Sequence, residues 1–151
     1  MSNDIPRWIE NIARDDVRHG WHTDMGENAM LIQISDPPGN HPTPKHTFKE
    51  VHQFDFLDIE QDGMTNNGDG EWTNMSEFAI TDEQAADLVS LLQHALDNSM
   101  NVLVHCFAGV CRSGAVVEVG TLLGFTATDR YRQPNLRVKH KMMRKLGMYY
   151  D

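Results

Sequence analysis

Hydrophobic positions in this chain form short runs and helical stripes that alternate from one end to the other. Ile5, Trp8, Ile9 and Ile12 recur at three- and four-residue spacing, which predicts an opening helix from about Ile5 to Ala13. Ala29 to Ile34 (AMLIQI) is almost continuously apolar and predicts a buried strand, stopped by the turn-forming Asp36-Pro37-Pro38-Gly39. Residues 40–47, rich in Pro and His, predict a loop. Val51 to Phe56 predicts a second strand with His52, Phe54 and Phe56 on one face. Asp58 to Asn74 is dense in Gly, Asn and Asp, the chemistry of loops.

Thr81-Asp82-Glu83-Gln84 has the form of a capping box, the threonine capping a helix and the glutamine reaching back to it. Ala85, Leu88, Leu92 and Ala95 carry that helix to about Asp97, where Asn98-Ser99 ends it. Val102-Leu103-Val104 predicts a short buried strand. A helix from Arg112 to Leu123 would face Ala115, Val116, Val119 and Leu123 inward, with Gly124 at its C-terminus. A last helix, from about Leu136 to Leu146, has Asn135 to cap it and Gly147 to close it. Strands alternating with helices predict an α/β fold with a central, mostly parallel sheet flanked by helices.

A length of 151 residues predicts one domain spanning 1–151, large enough for a real core. No stretch approaches the roughly 18 apolar residues of a membrane span, so a membrane is not an expected partner. MSNDIPRWIE has neither the basic lead nor the apolar run of a secretory signal. Two cysteines five positions apart make no disulfide framework, so the expected compartment is reducing cytoplasm. The net charge of −9 is uneven: residues 129–147 hold seven of the thirteen basic side chains, as Arg130, Arg132, Arg137, Lys139, Lys141, Arg144 and Lys145. An acidic body disfavours nucleic acid as the main partner, because phosphate backbones are bound through basic surface. The basic segment reads as a helix with a solvated cationic face.

The chemistry concentrates at Cys106. The buried strand VLVHC runs into the loop Phe107-Ala108-Gly109-Val110-Cys111, which opens a helix at Arg112. Amides of such a loop converge inward, and the helix adds its positive pole. That cradle favours a phosphate dianion, and equally a thiolate over a thiol. Arg112, six positions after the cysteine, can fold over the loop and hold two phosphate oxygens, while Gly109 permits the tight backbone path.

His105-Cys106-x5-Arg112-Ser113, with Gly109 inside, resembles the His-Cys-x5-Arg-Ser/Thr signature of the protein tyrosine and dual-specificity phosphatase superfamily, in its short single-domain prokaryotic or viral form. The resemblance implies that superfamily's α/β fold and a set of roles. Cys106 would be the nucleophile that becomes a cysteinyl-phosphate. Arg112 would bind the phosphate and stabilise the transition state, and Ser113 would hydrogen-bond the sulfur. His105 would position the loop from behind and help keep the thiol ionised. Amides of Phe107, Ala108, Gly109, Val110, Cys111 and Arg112 would complete the cradle, with no metal or other cofactor. The implied partner is a phosphorylated protein or peptide. Phosphotyrosine is favoured, phosphoserine and phosphothreonine are open, and the lysine-free loop disfavours polyphosphorylated lipids.

The superfamily also implies an aspartate general acid on a separate loop after a strand ending in an aromatic residue. The strand ending at Phe56 leads to Asp58, the first candidate, 48 residues before Cys106 and therefore ahead of an inserted segment. Asp62 and Asp69 in that insertion, and Asp55 on the strand, remain open. Asp58-x-Glu60-x-Asp62-Gly63 with Asp69 also has calcium-loop spacing, but Glu60, the short Asp69 and a preceding strand fit that site poorly. Trp72 is placed to close over an aromatic substrate or to pack. The pairs His19/His22 and His41/His46 lack companion cysteines and read as scattered histidines rather than metal ligands. Cys111 reads as a buried filler or as a thiol able to capture an oxidised Cys106. Rival readings are sulfur transfer or arsenate reduction, a phosphoprotein-binding pseudophosphatase, and an RNA 5′-phosphatase.

Overall fold

The computed structural model describes residues 7–60, 64–66, 72–74 and 78–148. Strands β1 (Trp8–Ala13), β2 (Ala29–Ser35), β3 (Glu50–Asp55), β6 (Asn101–Cys106) and β7 (Thr126–Ala127) form one sheet in the order β3-β2-β6-β1-β7. Every pairing in it is parallel. Helices α1 (Arg14–His19), α2 (Asp82–Asp97), α3 (Arg112–Leu123) and α4 (Leu136–Lys145) flank it. The expected α/β architecture is therefore present.

Alternation along the strands sorts side chains to two faces. Ile9, Met30, Ile32, Val102 and Val104 join Leu88, Leu92, Val116, Val119, Val138 and Met142 in the larger core, beneath α2, α3 and α4. Ile12, Leu31 and Leu103 meet Val17 of α1, with Phe48 packed against them. Helix α3 is buried over most of its circumference, Arg112 through Val117 included, so it lies at the centre of its layer. The Thr81 box forms as expected: the threonine hydroxyl accepts from Gln84 N–H at 3.0 Å, and Thr81 N–H donates to the Gln84 side chain at 2.9 Å.

Two expectations are corrected. The opening helix from Ile5 to Ala13 is instead β1 over its described part, and a short α1 follows it. Parallel neighbours β6 and β7 cover both edges of this strand, and both its faces are packed; Ile9 and Ile12, three apart, point to opposite faces. Buried Glu10 and Asn11 interrupt the apolar run that would have marked it as a strand. The segment from Asp58 to Asn74, expected as loop, contains an antiparallel pair, β4 (Met64–Asn66) and β5 (Trp72–Asn74). Its three-residue strands are too short to show a period.

The cationic segment is less solvated than its sequence suggests. Arg130 meets Glu10 and Asp16, Arg132 and Lys139 meet Glu118, and Lys141 meets Asp82. No helix among the described residues is long and apolar enough to cross a membrane.

Candidate active site

The C-terminal ends of the parallel strands converge, the edge at which open α/β sheets bind ligands. Strand β6 ends at Cys106, and α3 begins at Arg112, so five residues must turn the chain back. Gly109 makes the turn at φ +75°, and an added Cβ there would lie 2.2 Å from the Ile12 carbonyl carbon and 2.3 Å from Ala13 N. No side chain fits against that backbone. Asn11, buried in β1, donates from Nδ2 to the Gly109 carbonyl at 2.7 Å and to the Tyr131 carbonyl at 3.0 Å. Arg14 N–H donates to the Phe107 carbonyl, and Gln133 N–H to that of Val110, so the loop is pinned from three directions.

Cys106 is buried, and its Sγ lies 3.1 Å from the buried Ser113 Oγ. Arg112 is buried as well. Its Nη1 donates to Asp36 Oδ1 at 2.7 Å and to the Phe56 carbonyl at 2.8 Å. A guanidinium carries five N–H groups, so the Nε–H and the two Nη2 hydrogens remain for two oxygens of an oxyanion. A cavity of about 430 Å³ is lined by Cys106, Ala108, Cys111, Arg112 and Asp58, with Phe107 at its margin. Phe107 is 73% exposed, so it offers an aromatic face to whatever enters.

Asp58 lines that cavity and accepts from Asn135 Nδ2 at 2.6 Å. Asn135 also caps α4 through Val138 N–H at 3.1 Å, and its own N–H donates to the Cys111 carbonyl. One buried asparagine thus joins the candidate acid, the helix and the loop. Of the other carboxylates considered, Asp55 is bound to His41 Nε2 at 2.7 Å and does not line the cavity. Asp62, Gly63 and Asp69 lie outside the described residues, as does the side chain of Trp72.

His105 has the strand parity of Leu103 and so faces the α1 side, behind the loop. Burial lowers its pKa from 6.5 to about 4, against an opposing pull from the Cys106 backbone; His41, Arg14 and Arg112 add to the lowering. Both ring nitrogens are buried without a well-formed hydrogen bond. The imidazole is therefore neutral at pH 7. Burial pushes the Cys111 thiol up, and the Asp58 and Cys106 charges push the same way. Cys111 therefore stays protonated at neutral pH, which does not favour the attack on an oxidised Cys106 that the sequence left open.

The histidines considered as metal ligands, His19, His22, His41 and His46, each have a local partner. His19 stacks on Trp21, His22 meets His46 edge-on, and His41 bridges Ser35 and Asp55. Among the described residues no group of three or more His, Cys, Asp or Glu is arranged to hold a metal ion. Sequence reasoning missed Asn11 and Asp36. Asn11 lies within the stretch whose spacing predicts a helix, and Asp36 lies in a turn that its prolines and glycine explain by themselves.

No protein-family model matches the chain, and no curated protein matches it. Among solved structures it is similar to the crystal structure of the human tyrosine phosphatase-like serine/threonine/tyrosine-interacting protein. Identity is 15% and the TM-score 0.47, over 79% of this chain and 76% of that one.

Proposed function

We propose that this chain is a cysteine-dependent phosphatase acting on phosphotyrosine, and on phosphoserine or phosphothreonine, in proteins or peptides. The observation that carries the reading is the loop itself: a buried Cys106 sulfur 3.1 Å from the Ser113 hydroxyl, with Arg112 on the same cavity wall. Cys106 Sγ attacks phosphorus as a thiolate, and the bond to the ester oxygen breaks. Asp58 gives that oxygen its proton, which matters most when the leaving group is a poor one. Water then attacks the cysteinyl-phosphate, giving its proton to the Asp58 carboxylate left by the first step; the P–S bond breaks, and Ser113 hydrogen-bonds the departing thiolate. Arg112 and the inward amides bear the charge on the equatorial oxygens throughout. The apolar face of Phe107 suits an aromatic leaving group.

The test is hydrolysis of aryl phosphates of graded leaving-group pKa, with chelator present. Cys106→Ser abolishes turnover. Asp58→Asn slows poor leaving groups by about 10²-fold or more and good ones much less. Undiminished turnover by Cys106→Ser would overturn the assignment, and a uniform loss across leaving groups would remove Asp58 as the acid.

A further inference from the structure

Arg14 has no role in the chemistry above, yet its place is unusual. It is the first residue of α1, where the positive helix pole disfavours a cation. It is partly buried, and its backbone N–H is fixed to the Phe107 carbonyl of the cysteine loop. Its guanidinium donates from Nη1 to the Asn40 carbonyl. Arg18, Arg112, Arg130 and Arg132 each have a carboxylate within ion-pair distance; among the described residues Arg14 has none. A second cavity, of about 100 Å³, is lined by Arg14, Ser35, Asn40, Asp36 and Phe107. It shares Asp36 and Phe107 with the larger cavity over Cys106. The two cavities are therefore neighbours, and the Asp36 carboxylate between them is engaged by Arg112 at 2.7 Å.

A positioned guanidinium with free N–H donors and no carboxylate partner among the described residues, opening on a small recess where Ser35 and Asn40 stand beside the apolar Ile34 and Phe107, can take an oxyanion. We propose that Arg14 forms a second anion subsite, which holds a carboxylate or phosphate on the residue next to the phosphorylated one. The inference rests on the phosphatase reading and names its preferred substrates: phosphopeptides with an acidic or phosphorylated neighbour. The net charge of −9 does not oppose this, because charges farther than about 8 Å are screened at physiological salt while a pair in the recess is not.

The experiment uses three phosphotyrosine peptides, identical except for Gln, Glu or phosphoserine beside the phosphotyrosine. In the native chain, Glu and phosphoserine each raise kcat/KM over Gln by about tenfold, through KM. In Arg14→Gln both ratios fall to near one, and in Arg14→Lys most of the gain is kept. Because the readout is a ratio within each variant, any effect of the substitution on loop geometry cancels. The Glu and phosphoserine arms separate the two anion sources. Equal rates on all three peptides, or ratios unchanged in Arg14→Gln, would overturn the subsite. Affinities of Cys106→Ser for the same peptides decide the matter without turnover. If native chain shows no hydrolysis while Cys106→Ser still ranks the peptides through Arg14, only the catalytic reading fails; binding of none overturns both.

Discussion

At the scale of single residues, the loop's shape depends on two groups that never touch phosphorus. Gly109 is required by both conformation and space, since its φ of +75° is costly for other residues and its neighbour is backbone. Asn11 holds the Gly109 carbonyl from the adjacent strand. Replacing it with Ala leaves two carbonyls without their donor. Asn11→Ala is therefore expected to lower stability by about 1–3 kcal/mol in urea denaturation. Aryl phosphate turnover should fall at least about tenfold as the amides lose alignment. Full activity in a destabilised variant would mean that the loop keeps its shape unaided. Cys106, Arg112, Ser113 and Gly109 were legible in the sequence because their spacing is fixed by one local turn. Asn11 and Asp36 were not, because they reach the loop from 98 and 76 residues away.

At the scale of elements, what was legible depended on how each one is buried. Helices α2 and α4 have one wet face and a side-chain cap, so period and cap agree with the structure. Helix α3 is buried except near its end, where Thr121 and Leu122 are exposed, so its apolar positions show little contrast and the loop before it and Gly124 after it mark its bounds. Strand β1, packed on both faces yet carrying Glu10 and Asn11, showed neither a two-residue alternation nor a clean apolar run. The link between α4 and the candidate acid was hidden too: the cap at Asn135 was readable, its bond to Asp58 was not. Asn135→Ala should cost about 1 kcal/mol as a lost cap. It should also selectively slow poor leaving groups, as Asp58→Asn does. A stability loss with an unchanged leaving-group dependence would confine Asn135 to capping.

For the whole molecule, pH is the variable that reads the site's burial. The folded His105 pKa lies near 4 against 6.5 unfolded, so between those values the unfolded chain binds the extra proton. Stability then rises with pH across that window and is lost as pH falls through it, by about 2 kcal/mol between pH 7 and pH 5. Glu10 acts lower. Burial raises its carboxyl, but hydrogen bonds from the Thr23 side chain and backbone, with Arg130, outweigh that and leave it below 4.5. Its contribution is present above 4.5 and is lost only as pH falls through the lower folded value. Urea denaturation of the native chain and of His105→Gln at pH 7 and pH 5 separates the two. The variant is expected to lose most of the pH 5 to 7 slope, and an equal slope in both would show that His105 is not the buried neutral group.

The central claim is that phosphate passes through a covalent bond to Cys106, and trapping that bond tests it most directly. A radiolabelled phosphotyrosine peptide is mixed with the Ser113→Ala variant, whose second step is slowed, and the reaction is quenched within milliseconds in detergent. The account predicts label on the peptide bearing Cys106, and none when Cys106 is also replaced by Ser. Label on another residue, or phosphate released at full rate without Cys106, would contradict it.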